Sequence, residues 1–547
     1  MSDYYNLGQY GRAVSTNSAT AQLWFDRGLV WTYGFNHEEA VRCFEKAADA
    51  DPACALAQWG IAYAAGPNYN KPWDAFEEDE KPDCINRAQH AVEQANKLSA
   101  GLADWEKALV VAVKTRYPAD ASIEEFGHWN DAYADAMRSV FQAHRDDLDI
   151  GCLFAEAIMN RTPWKLWDLK TGEAAEGADT LEAIAVLERA FNELDGAWQH
   201  PGLLHMYIHL MEMSPFPERA LRHGDVLSTL VPDAGHLVHM PTHIDVLCGD
   251  YQNVVSRNHA AILADAKAVE HSGGEDFYAV YRAHNYHFKI YGAMFLGQPS
   301  VALAAAEELA GLFTEDFLSS MADWFEGFIP MKQHVLIRFG RWKCILDQAL
   351  PSNQTLYSVT TAMMRYARTV AFANTGKLEE AEAERDLFYA ARDLVPESRM
   401  LFNNPCLNTL LVAEQMMLGE LAYHKGEHKQ AFDHLRRSVE LDDNLDYDEP
   451  WGWMQPTRHA LGALLIEQKQ FEEAEAVYRA DLGLDSTLSR ACQHPGNVWS
   501  LHGLHECLVE RDELIESKQV KLQLDKAKAR AEVEIKASCY CRQVAAA

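Results

Sequence analysis

The sequence predicts an all-α chain folded as a superhelix of tetratricopeptide-like helix pairs, an α-solenoid. Three observations predict it. A 34-residue pattern of small and large residues stands near the start, echoes of it recur toward the end, and Gly or Pro turns punctuate the apolar helical runs between them.

The first element is the most complete. Trp24, Gly28, Ala40, Phe44, Ala47 and Pro52 occupy the positions that a helix-turn-helix repeat needs. Small residues stand where the first helix of a pair crosses the second, large ones fill the space between, and Pro52 stops the second helix. Residues 66–130, from Gly66-Pro67-Asn68-Tyr69-Asn70 onward, interrupt this rhythm and are expected to form an insert or lid. The middle of the chain alternates helical runs with turns at Ser214-Pro215-Phe216-Pro217, Cys248-Gly249-Asp250, Leu296-Gly297-Gln298-Pro299 and Phe339-Gly340-Arg341. First helices of pairs are expected at 202–213, 235–248, 276–296 and 320–339. Later units start at Gly376 to Arg385 with Ala381, at Gly419 with Ala431 and Leu435, and at Gly462 with Ala474 and Tyr478. A Trp- and Pro-rich insert, Glu449-Pro450-Trp451-Gly452-Trp453, separates the last two. Trp499 and Gly503 open a final pair whose second helix is expected from Asp512 to Lys528.

No Gly/Ser-rich linker divides the chain, so one continuous array over 1–547 is the simplest organisation. It has first repeats in 1–65, an irregular helical insert and helices in 66–200, His-bearing repeats in 201–350, C-terminal repeats in 351–530, and a tail with Cys539-Tyr540-Cys541 in 531–547.

The formal net charge of the 547 residues is −32. A surface this acidic repels phosphate backbones and anionic lipid, so no nucleic-acid partner and no membrane association are expected. No apolar run approaches the ~20 residues of a membrane-spanning helix, and Met1 to Tyr5 lack the regions of a signal peptide. Eleven cysteines, an odd number set mostly singly within helical patterns, read as reduced thiols and a cytoplasmic location.

The chemistry is carried by histidine. His205, His209 and Glu212 are spaced at i, i+4 and i+7, one narrow stripe within about 60° around a helix. His236, His239 and His243 on the next expected first helix share a stripe of similar width. His205 to His239 and His209 to His243 each span one repeat period, so stacked repeats set the two pairs side by side. The third such helix adds His284 and His287, and His334 stands on the fourth. A single buried His is more often a packed core residue than a ligand. Two pairs in repeat register, joined by a third helix, point instead to a metal site. Glu156, Asn160 and the aromatic turn Thr162 to Asp168 could wall a groove, although Trp-rich turns commonly serve packing. The sequence holds no phosphate-binding glycine loop, nucleophile elbow or zinc-finger spacing.

Three stretches, "HMYIHLMEMSPFPERAL", "AGHLVHMPTHIDVLCGDYQNVVSRNHAAILAD" and "FIPMKQHVLIRFGRW", resemble a large group of uncharacterised tetratricopeptide-repeat proteins. So do the later segments "PTRHALGALL", "AEAVYRADL", "NVWSLHGL" and "ASCYCR". The resemblance spans most of the chain. It implies a repeat body with an embedded HxxxHxxE and HxxHxxxH cluster, and it brings no reaction with it.

The candidate metal ligands are therefore His205, His209, Glu212, His236, His239, His243, His284 and His287, with Glu212 as the candidate catalytic residue. The donor set is imidazole-rich. A di-iron carboxylate site would need about four carboxylates, and magnesium or calcium would need oxygen ligands. Imidazole suits a transition metal ion, copper first, with iron or zinc open. The expected function is a metal-dependent oxidoreductase acting on a small-molecule substrate in the concave groove. One alternative is a zinc-type hydrolase with Glu212 as general base. Another is a non-catalytic adaptor whose groove takes a protein partner.

Overall fold

The computed structural model describes residues 4–78, 80–117, 126–272 and 278–542. The start of the helix expected at 276–296, parts of the expected 66–130 insert and the last five residues of the tail lie outside the described residues. By its contacts the chain divides into two compact units, Met1–Ile244 with Leu263–His271, and Asp245–Ile262 with Ser272–Ala547.

The first unit is a succession of helices packed on their neighbours in the chain. It runs through α1 (Ala19–Tyr33), α2 (His37–Ala50), α3 (Ala55–Ala64), α4 (Glu80–Lys97), α5 (Asp104–Val113), α6 (Gly127–Ala143), α7 (Leu148–Met159), α8 (Thr180–Glu193), α9 (Pro201–Glu212), α10 (Leu221–Leu230) and α11 (Gly235–His239). Helix α12 (Pro241–Leu247) reaches the boundary, and α13 (Tyr251–Ser272) carries residues of both units. Side chains fix several starts. Ser18, Asn36 and Asp147 each accept a backbone N–H in the first turn of α1, α2 and α7.

The repeat pattern of the sequence is a packing device. A Cβ on Gly28 would stand 2.7 Å from the Phe44 ring, and one on Gly60 2.5 Å from the same ring. Phe44 of α2 is thus wedged between α1 and α3, and only glycine lets both helices close on it. The stretch from 66 holds α4 and α5, and α4 packs on α3 as the second helix of a pair. That pair has a long connecting loop, which is why its sequence reads as an interruption.

The second unit repeats the device. It contains α14 (Ala279–Leu296), α15 (Pro299–Ala310), α16 (Glu315–Ser320), α17 (Ala322–Phe325), α18 (Met331–Arg338), α19 (Trp342–Leu346), α20 (Ser358–Asn374), α21 (Leu378–Arg392), α22 (Cys406–His424), α23 (His428–Asp443), α24 (Arg458–Glu467), α25 (Phe471–Asp481), α26 (Val498–Glu510) and α27 (Leu514–Lys528). Tyr478 of α25 is wedged between Gly462 and Gly503, whose added Cβ atoms would lie 2.4 and 2.1 Å from its ring. Gly419 of α22 meets Leu435 of α23 in the same way.

Three local features differ from the sequence reading. The helix expected over 235–248 is broken after His239, because Pro241 has no N–H to continue the ladder. A two-residue antiparallel pair, β1 (Met400–Leu401) with β2 (Asn404–Pro405), forms around Phe402. Asn404 holds this turn by donating to the Asp446 carbonyl and the Asp448 carboxylate. Cys539 and Cys541, expected as thiols, are joined in a disulfide, while nine other cysteines are free. No helix among the described residues is long and apolar enough to cross a membrane.

Candidate metal centre

Helix α9 is the frame of the site. Every one of its residues is buried, and it packs against α1, α7, α8 and α10. Pro201 stands at its first position, and His200 caps it by accepting the Leu203 N–H at Nδ1. Gly202 permits the close approach, since a Cβ there would lie 2.6 Å from both the Cys152 sulfur and the Tyr33 ring.

That approach brings the end of α1 against His205. His205 Nδ1 lies 2.6 Å from the Tyr33 carbonyl oxygen. A carbonyl only accepts, so Nδ1 carries the hydrogen and Nε2 is left as a bare lone pair. One turn on, His209 Nδ1 is 2.9 Å from Glu212 Oε1, which fixes the same tautomer. The other carboxylate oxygen, Glu212 Oε2, is 3.0 Å from Nδ1 of His243 on α12. Glu212 thus holds His209 by a hydrogen bond at Nδ1 and sets its second oxygen close to Nδ1 of His243. The Nε2 atoms of His205 and His209 are buried and have no hydrogen-bond partner among the described residues.

Helix α11 brings His236 to the same place. His205, His209 and His236 each offer a nitrogen within 4.8 Å of the others. Burial drives the basicity of all three well below the ordinary histidine value, and neighbouring imidazoles add to the effect. They are neutral at physiological pH, the form that ligates metal. His239 and His243 continue the series, with Nε2 atoms 2.9 Å apart. Two nitrogens on one ion at about 2.0–2.1 Å stand roughly 2.9–3.4 Å apart, so this spacing serves a shared hydrogen or a shared ion alike.

Aromatic rings close the site. Phe35 stacks near-parallel on His209 and His236 and tilts over His205 at 4.6 Å between ring centres. Tyr69 and Trp164 also pack on His209, at 4.8 and 5.7 Å between ring centres. The Trp164 N–H donates to the Tyr69 hydroxyl oxygen, and Trp167 donates to the Leu210 carbonyl of α9. The aromatic turn at 162–168 therefore serves packing and wall together. Phe35 and Trp164 both have φ near +60°. Bulky residues rarely adopt this left-handed conformation, and it persists where surroundings over-determine it, as at functional sites.

Support extends behind the histidines. The Tyr33 hydroxyl donates to Asp149 at 2.5 Å, and Tyr10 donates to the same oxygen at 2.6 Å. His200 Nε2 lies 3.3 Å from it, and Arg12 pairs with the other oxygen. Asp149, although buried, is held well below the usual carboxylate range by His200, Arg12 and the tyrosine hydroxyls. The backbone whose carbonyl orients His205 is thus anchored by its own side chain.

Of the residues singled out from sequence, the first unit brings together His205, His209, Glu212, His236, His239 and His243. His284 and His287 lie on α14 of the second unit. Phe35, Tyr33 and Tyr69 escaped the sequence reading, although Gly34-Phe35-Asn36 is a visible turn between two helix signals. Histidines of the second unit offer a contrast. His459 accepts from Arg338 at Nδ1 and donates to Asp481 from Nε2. His494 donates to Asp481 from Nδ1 and accepts from the Tyr291 hydroxyl at Nε2. Those two are saturated core histidines, whereas His205 and His209 each keep one nitrogen open.

Fold and site together define a tetratricopeptide-like helical-repeat protein with a buried histidine cluster. No family model matches the chain, and no curated protein matches it. Among solved structures it is similar to a monomeric mutant of IFIT1 with Gppp-AAAA, at 10% identity over 86% of this chain and 90% of that one, TM-score 0.33. Naa15/Naa10 bound to HypK-THB matches at 11% identity over 93% and 74%, TM-score 0.23. The APC/C hetero-tetramer Cut9-Hcn1 matches at 13% identity over 93% and 96%, TM-score 0.20. At these TM-scores the likenesses carry no argument about function.

Proposed function

We propose that the first unit holds an imidazole-ligated transition-metal centre and that the protein is a metal-dependent oxidoreductase acting on a small organic molecule. The observation that carries this reading is the pair of buried, open Nε2 atoms on His205 and His209, each turned outward by an acceptor on Nδ1. Leaving buried polar atoms unpaired costs about 1–3 kcal/mol each, and a bound ion removes that cost. His236 completes a three-nitrogen set, and His239 with His243 supplies a second ligand group beside it. Nitrogen-only donors favour copper, and iron or zinc fits the same atoms.

Glu212 argues against the hydrolase. One of its oxygens accepts from His209 and the other faces His243 at 3.0 Å, which favours a role in orienting ligands, as carboxylates behind metal-bound histidines have. The depth of the site favours a small substrate over a peptide, because the ligand side chains are fully buried behind aromatic rings. A cytoplasmic location fits the nine free cysteines.

The test is elemental analysis of untagged protein alongside His205→Ala and His209→Ala. The wild type should carry a stoichiometric transition metal, and each variant should lose it at unchanged helical content. A metal-free wild type that gains no ion on titration, with variants that are only less heat-stable, would overturn the reading. Oxygen consumption with copper or iron bound identifies the oxidoreductase. Activity restored by zinc without oxygen identifies the hydrolase.

A further inference from the structure

We propose that His287, His334 and Met454 of the second unit form a separate site for a soft monovalent metal ion of the copper(I) type. His287 on α14 places Nε2 2.8 Å from the Met454 sulfur, and both side chains are buried. A thioether has no hydrogen to give, so either the nitrogen donates to sulfur or both lone pairs face one cation. The surroundings favour the cation. Nδ1 of His334 is buried with no hydrogen-bond partner among the described residues. A single N–H to sulfur bond leaves the His334 nitrogen open, whereas an ion between the three side chains engages it. His334 stands on α18, which packs on α14, and its ring meets Trp453, the residue before Met454. Burial pushes both imidazoles down to about 3, so they are neutral donors.

The shell around these donors is apolar. Phe328 meets His287 edge-on at 5.5 Å, Phe402 stacks on it at 6.1 Å, and Trp453 meets His334 edge-on at 4.8 Å. Phe402 is a further bulky residue with positive φ, and the turn of β1 and β2 pins it there. Two neutral nitrogens and a thioether bring no negative charge. In an apolar shell such a set suits an ion of low charge and weak hydration, and thioether sulfur selects copper(I) over hard divalent ions. Met454 directly follows Trp453, so the insert that breaks the repeat rhythm at 449–456 delivers both the sulfur ligand and its cover. This site shares no residue with the centre of the first unit.

X-ray absorption of selenomethionyl full-length protein, loaded with one equivalent of copper(I) from a buffered chelator, tests the assignment. The expected result is a metal–selenium shell in the wild type and in His209→Ala. Met454→Leu, a volume-conserving change, should lose the shell and lower copper(I) affinity at least tenfold by chelator competition. His334→Ala should weaken binding in the same assay. A spectrum with nitrogen neighbours alone, or a selenium shell that survives Met454→Leu, overturns the proposal. A nitrogen-only spectrum that disappears in His209→Ala would do so while leaving the first-unit centre standing.

Discussion

Glu212 is the residue on which the two enzyme readings part. A glutamine there keeps one acceptor and presents an amide N–H₂ to the other imidazole. When that amide N–H₂ turns to His209, the ring must move its hydrogen to Nε2, the atom that would face a metal. Loss of such a supporting carboxylate typically costs 10–100-fold in metal affinity. Glu212→Gln is therefore expected to weaken metal binding by that factor with the fold intact, measured by competition with a chromogenic chelator. Normal metal affinity with activity lost would instead mark Glu212 as a general base. A second residue-level expectation concerns pH. Burial raises Glu420 from its ordinary 4.5 to about 7, and burial with the neighbouring Asp443 raises Asp442 from 3.8 to about 7. The folded chain holds these protons more tightly than the unfolded chain. The stability they contribute is complete below pH ~4 and is lost as pH rises through about 7. For Glu420 the span corresponds to about 3 kcal/mol. The buried imidazoles, whose basicity is lowered, drive the whole chain's stability the other way over part of this range, so the carboxyl contribution is read by comparison: the stability advantage of the wild type over Glu420→Gln, from denaturant unfolding at pH 4 to 8, should shrink as pH rises toward 7.

At the level of elements, glycine decides how closely paired helices pack. Phe44 and Tyr478 occupy equivalent wedges in the two units, each between two glycines. Gly60→Ala and Gly503→Ala should each destabilise by about 1–3 kcal/mol or more, because the ring has no vacant direction in which to retreat. Chemical denaturation with separate probes for the two units would show each variant lowering the midpoint of its own unit. An unchanged midpoint would mean that the wedge is looser than its geometry implies. Helix α9 shows the same principle applied to function. Gly202 brings it onto Tyr33 and Cys152, and that approach sets the tautomer of His205.

For the whole molecule, a bound ion should appear as stability. An ion held only by the native state adds about 2.7 kcal/mol at a hundredfold excess over its dissociation constant. Removing metal from wild-type protein with a chelator should lower the unfolding temperature by several degrees, and re-addition should restore it. In His205→Ala neither step should shift the transition. A shift of equal size in that variant would place the ion elsewhere.

The 34-residue pattern at Trp24 to Pro52 is visible in the sequence because local packing imposes it. Each small–large pair, Gly28 with Phe44 or Gly462 with Tyr478, joins consecutive helices, so the spacing of residues along the chain is also their spacing in space. The repeat register of His205 with His239 and of His209 with His243 is readable for the same reason, and the structure brings histidines of α9 and α11 together. The break at Pro241 was written in the sequence too, although the apolar periodicity on either side masked it. The chain order contains nothing about which nitrogen of an imidazole stays open. That depends on the Tyr33 carbonyl, which lies 172 residues from His205, and on how Glu212 divides its two oxygens between α9 and α12. Met454 is likewise 167 residues from the nitrogen it faces. Sequence periodicity records contacts between neighbours in a repeat. Hydrogen bonds and ligand sets between distant segments follow only from how the chain closes in three dimensions.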